Sequence, residues 1–147
     1  MDSSVIGGCF DPEFEKWSNG LFRDFNVGTL LPVLSDIVDA EMKNAPPEVV
    51  GKHAELLTLE AERIKLSDEA VELAGIYIKE KAVSPNYRDD ALHIALATIA
   101  QVDILVSWNF KHIVNFGKIR QFNSINLREG YNTVQIYSPR EVTNYGD

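Results

Sequence analysis

Asp2, Glu41 and Asp90 are the residues whose type and setting could do chemistry. In a chain that alternates strand and helix, Asp2 falls at the end of a first strand and Glu41 on the helix after the second. Asp90 falls at the head of a central helix, so all three stand where such a sheet gathers its site. Carboxylates brought within ~4 Å of one another repel by several kcal/mol at an effective dielectric near ~20, so a cation or a proton must settle them. Hard oxygen ligands with retained waters suit Mg2+ or Mn2+ bound beside a phosphate, where the ion would activate water and stabilise charge. Spacing by itself also admits a plainer reading, in which each is a solvated or helix-capping carboxylate.

The stretch from Asp89 to Asn109 must do most of the positioning. Asn86 can cap a helix there, with Asp89 three residues on as a capping-box-like partner. From Ala91 to Ala100 the residues are apolar on nearly every face, broken by His93 and Thr98, which places the helix inside a domain. Ile104 to Val106 then reads as a short strand covered on both faces. It ends in Ser107-Trp108-Asn109, polar groups at the carboxyl end of a strand, where open α/β sheets bind ligands. A carboxylate entering the helix and an amide leaving the strand could therefore face one crevice.

Before that stretch, Met1 to Ile6 reads as the tail of a strand, broken by Gly7-Gly8. Asp11-Pro12 opens a helix with Phe14, Trp17, Leu21, Phe22 and Phe25 as an apolar stripe and Gly28 as its stop. Leu30 to Leu34 is a second strand, and Ser35 caps a helix over Asp36 to Asn44 that Pro46-Pro47 ends. A helix over Glu48 to Leu59, a strand over Ala61 to Leu66 and a helix opened by Ser67-Asp68, with Val71, Ala74 and Ile78 at helical spacing, complete the first half. After Asn109 comes a segment from Phe110 to Asn126 carrying Lys111, His112, Lys118 and Arg120, then a strand over Val134 to Tyr137. This alternation predicts a parallel α/β sheet in one domain over residues 1–147.

Composition agrees with a globular domain: 147 residues, 45% hydrophobic and 24% charged, long enough to bury a core. No apolar run reaches the roughly 18 residues of a membrane helix, and the N-terminus lacks a basic region followed by an apolar one. Cys9, the single cysteine, excludes an internal disulfide, fits a reducing compartment and reads as a small buried hydrophobe. The net charge of −8 argues against broad nonspecific binding of nucleic acid. It leaves room for a local basic strip and suits a site that gathers carboxylates around a cation.

Three blocks, Met1-Asp2-Ser3-Ser4-Val5-Ile6-Gly7-Gly8, Ser35 to Glu41, and Asp90 to Ala97 with Leu105 to Ile113, resemble the PIN-domain family, which includes the VapC-type ribonuclease toxins of toxin–antitoxin pairs. The resemblance runs to Ser138-Pro139-Arg140-Glu141-Val142, and its third block is the most specific. It implies a three-layer α/β/α sandwich around a mostly parallel sheet of about five strands, and Mg2+- or Mn2+-dependent cleavage of RNA phosphodiesters. By position Asp2, Glu41 and Asp90 match the family's acidic ligands. A cytoplasmic enzyme, a homodimer, no membrane association and, for a toxin, a peptide antitoxin in the groove are further implications.

Two departures stand out. Many members carry a fourth acidic residue where this chain has Asn109, which can orient a water or a phosphate oxygen but cannot take its proton. A second metal would then be held weakly. Members also carry several residues before the first acid, completing the central strand, whereas here Met1 alone precedes Asp2. The strand is then shortened, or its start lies upstream.

Lesser candidates surround the acids. Ser3 and Ser4 could orient Asp2, and Lys111 and His112, with Lys118 and Arg120 further on, could touch phosphates or simply form a solvated face. His93 reads as a bonded core histidine, or as a ligand or base on the face of Asp90. Trp108 reads as packing, or as a platform for an unpaired base. Asp89 serves the helix start, and Asp36 and Asp39 read as surface carboxylates. The sequence thus predicts a metal-dependent ribonuclease. Two alternatives are a catalytically degenerate PIN-like module that binds RNA or a protein partner, and an enzyme acting on a small phosphate ester.

Overall fold

Ser35 and Ser67 open helices as their types predict. Each has extended backbone, and its hydroxyl accepts from a backbone N–H three residues on, Val38 and Ala70 respectively. Gly28 closes another helix in the left-handed conformation (φ 82°), where a side chain would be strained. The computed structural model describes residues 1–146. In chain order the elements are α1 (Ser3–Gly7), α2 (Glu15–Val27), β1 (Val33–Ser35), α3 (Asp36–Glu41), α4 (Pro47–Thr58), β2 (Glu62–Ile64), α5 (Asp68–Lys79), α6 (Arg88–Ala100), β3 (Leu105–Val106), α7 (Phe116–Arg128), β4 (Ile136–Tyr137) and α8 (Pro139–Val142). Single 3-10 turns follow α1 and α3 and precede α6.

The expected five-stranded sandwich is not what forms. Among the described residues there are two separate two-stranded parallel sheets, β1 with β2 (Val33 opposite Glu62) and β3 with β4 (Leu105 opposite Ile136), in a chain that is mostly helical. The reason lies at the N-terminus. The residues expected to continue as a central strand give one backbone bond to each side: the Met1 amine donates to Val33 O, and Asp2 N to Val106 O, both at 3.4 Å. Asp2 is then the extended N-cap of α1, and the chain turns helical at Ser3. Val5 and Ile6 are consecutive and both fully buried, a pattern that a helix wedged among neighbours and a doubly covered strand share.

Other boundaries shift for local reasons. Asp11 accepts from Glu13 N at 2.9 Å and makes a turn, so α2 begins at Glu15. The helix after Ser35 tightens into 3-10 geometry at Met42. Asn86 does not cap α6; Ser84 caps the 3-10 turn before it, and Tyr87 occupies the N-cap. Two apolar clusters hold these parts. One joins α5, α6 and α7, with Tyr77 and Phe122 edge to face at 5.1 Å; the other joins α1 to α4. Residues Ala91 to Thr98 of α6 are all buried, as their composition demands. Among the described residues, no helix is long and apolar enough to cross a membrane.

Candidate functional site

Asp2 is buried, so its oxygens need partners. Ser4 Oγ donates to Asp2 Oδ1 at 2.6 Å and Ser107 Oγ to Oδ2 at 2.8 Å. The same hydroxyls accept backbone N–H groups, Trp108 N on Ser4 (2.9 Å) and Asn109 N on Ser107 (2.9 Å). Helix α1 and the end of β3 are thereby locked to one carboxylate, and β3 delivers Asn109 toward the head of α6.

There the two halves of the central unit converge as expected. Asn109 Nδ2 donates to Asp90 Oδ2 at 3.1 Å, while Asn109 Oδ1 accepts from Lys111 N (3.2 Å) and His112 N (2.9 Å). Asp90 is pushed up to about 6. Burial is the main cause, followed by the charge of Asp2, with a smaller contribution from Glu41; His93 and the Asn109 hydrogen bond act the other way. Asp2, Glu41 and Asp90 therefore share one electrostatic field. Enclosure also holds the Met1 ammonium below its usual range, against the pull of Asp2 and Glu41.

Glu41 comes from the end of α3 and meets a partner from α6: His93 Nε2 donates to Glu41 Oε1 at 2.9 Å. His93 is thus a bonded core histidine. By donor type the three carboxylates suit a hard cation. By arrangement they do not close around one, for among the described residues no three His, Cys, Asp or Glu side chains form a group that could hold a metal ion. A cavity of about 270 Å³ opens between β1 and β3, lined by Met1, Val33, Leu96 and Leu105; it reaches His93 but none of the three acids.

The remaining candidates divide. Trp108 is packing: it is buried, stacks on Phe14 at 4.1 Å and donates from Nε1 to Ser18 Oγ at 2.8 Å. Ser3 is half-buried and has no side-chain role beside Asp2, whereas Ser4 does. Lys118 Nζ donates to Ala82 O at 2.9 Å, leaving Lys111 and Arg120 exposed. Asp36 and Asp39 are more than surface charges. The first accepts Leu66 N at 2.9 Å, and the second pairs with Arg63 and lies 3.3 Å from His53. Sequence reasoning missed Tyr87, whose ring lies 3.9 Å from that of His112; its place directly before the Asp-bearing helix was the available signal. Compared with known proteins, the chain matches no family model, no curated protein and no solved structure.

Proposed function

We propose that the chain is a hydrolase of RNA phosphodiester bonds whose acid–base group is Asp90. The observation that supports this most is the meeting of Asp90 with Asn109 at 3.1 Å at the head of α6, where burial, then the charges of Asp2 and Glu41, raise the Asp90 carboxyl to about 6. A carboxyl near 6 is largely ionised at pH 7 and basic enough to take a proton from an attacking water. Asn109 fixes its direction, and Asp2 holds the end of β3 in register through Ser107. The PIN-domain resemblance supplies RNA as the substrate and implies Mg2+ or Mn2+, but Asp2, Glu41 and Asp90 as arranged form no ligand group for such an ion, so the proton transfer falls to Asp90 alone. A cytoplasmic setting, a homodimer and a peptide antitoxin belong to the same reading.

A second reading has its own support. Glu41 is already satisfied by His93 and the acids form no ligand group, as expected of a worn-out site kept for binding RNA or a protein partner. Wild type and Asp90→Asn, incubated side by side with single-stranded RNA and Mg2+ or Mn2+, separate the two. Cleavage by the wild type alone, with a melting temperature raised by the ion in the wild type alone, supports the nuclease. Absence of both responses in the wild type supports the binding module.

A further inference from the structure

Building on that reading, we propose that Tyr87 and His112 form a stacking platform that seats an unpaired RNA base beside Asp90. Tyr87 is the residue before α6, and His112 lies in the turn after β3; their ring centroids are 3.9 Å apart with 30° between planes. Tyr87 remains 41% exposed although one face carries His112, so an aromatic surface is presented to solvent on a backing ring. Every base has a π-face, and such a surface accepts one without reading its identity.

Asn109 ties this platform to the carboxylate. Its amide nitrogen holds Asp90 and its amide oxygen holds the backbone of Lys111 and His112, so the seated base and Asp90 share one fixed frame. Charge points the same way. In a chain of net charge −8, residues 110–126 carry Lys111, Lys118 and Arg120 and no acidic residue. Such a local strip favours a backbone of phosphates despite the acidic whole. Burial first, then Lys111 and Lys118, hold His112 below its usual pKa, so at pH 7 its ring is mostly neutral and stacks as an aromatic. Phe116, 78% exposed with Arg120 over its ring at 5.8 Å, offers a further stacking surface on the same strip.

The experiment separates binding from cleavage. A fluorescein-labelled single-stranded RNA 12-mer is titrated by anisotropy against the full chain carrying Asp90→Asn, in EDTA, with Tyr87 intact, Tyr87→Ala or Tyr87→Phe. Loss of one stacked base weakens binding roughly 5- to 150-fold for Tyr87→Ala, while Tyr87→Phe stays within about two-fold. Duplex RNA binds the intact platform no better than single strands bind Tyr87→Ala. Equal affinity of Tyr87→Ala and its parent, preference for duplex, or no binding by the parent overturns the platform. Binding that depends on Tyr87 with no cleavage by the wild type in Mg2+ or Mn2+ leaves the platform standing and removes the nuclease reading. Cleavage that depends on Asp90 with binding indifferent to Tyr87 does the reverse.

Discussion

Asp90→Asn removes a charge that burial, then Asp2 and Glu41, disfavour, while keeping an oxygen that can accept from Asn109 Nδ2. In the folded chain the Asp90 carboxyl rises from 3.8 to about 6, so the native state holds that proton more tightly than the unfolded chain does. The stabilisation from this preference is complete below about pH 4 and is lost as the pH climbs through about 6. At about 1.4 kcal/mol per pKa unit the full shift corresponds to about 3 kcal/mol; Asp90 is only partly buried, and solvent screening reduces this to about 1–2 kcal/mol. The asparagine variant carries no such charge. It should therefore be more stable than the wild type at pH 7.5 by about 1–2 kcal/mol, a rise of about 2–8 °C in melting temperature for a chain of this size. The gap should close by pH 4. Thermal melts at half-unit intervals from pH 4 to 8, in EDTA, read it directly. A variant less stable than the wild type at pH 7.5, or a gap that does not change with pH, would show that burial and the neighbouring carboxylates do not raise the Asp90 carboxyl in the fold.

Other consequences are measurable in the same way. Ser107→Ala deletes the donor to Asp2 Oδ2 and the acceptor of Asn109 N, and urea denaturation should show a loss of about 1–3 kcal/mol. Gly8→Ala would place a Cβ 2.4 Å from Ser18 Oγ and 2.6 Å from Trp108 Nε1; overpacking should destabilise the chain by about 1–3 kcal/mol in the same assay. Asp24 is fully buried and accepts from Thr143 Oγ1, Asn144 N and Asn144 Nδ2, so Asp24→Ala should release the C-terminal segment to limited proteolysis and cost about 2–4 kcal/mol. Burial pushes the Cys9 thiol up to about 11, and iodoacetamide at pH 8 should label it in urea far faster than in buffer.

What the sequence disclosed was local. Serine hydroxyls mark the starts of α3 and α5, a glycine marks the end of α2, and a run with no polar face marks α6 as interior. The meeting of Asp90 with Asn109 was also legible, because helix, turn and strand are contiguous and fix each other's ends. Longer-range matters were not. Whether Val5-Ile6 lies in a strand or a helix depends on neighbours far along the chain, and two apolar residues carry no period of their own. Parallel pairing of β1 and β2 could be expected from alternation, but not that each sheet would stop at two strands. The His93–Glu41 bond joins residues 52 apart, and nothing near either position announces it.

Trp108 gives the cluster a built-in optical readout. The chain has two tryptophans, and the other, Trp17, lies 6.2 Å away between ring centroids, so intrinsic emission originates from a single locality. The Trp108 indole is hydrogen-bonded to Ser18 and its amide to Ser4, the same serine that grips Asp2. Any ion or nucleotide that rearranges the Asp2 cage should therefore shift the wavelength or intensity of unlabelled fluorescence, and a titration in a cuvette would follow occupancy without a dye.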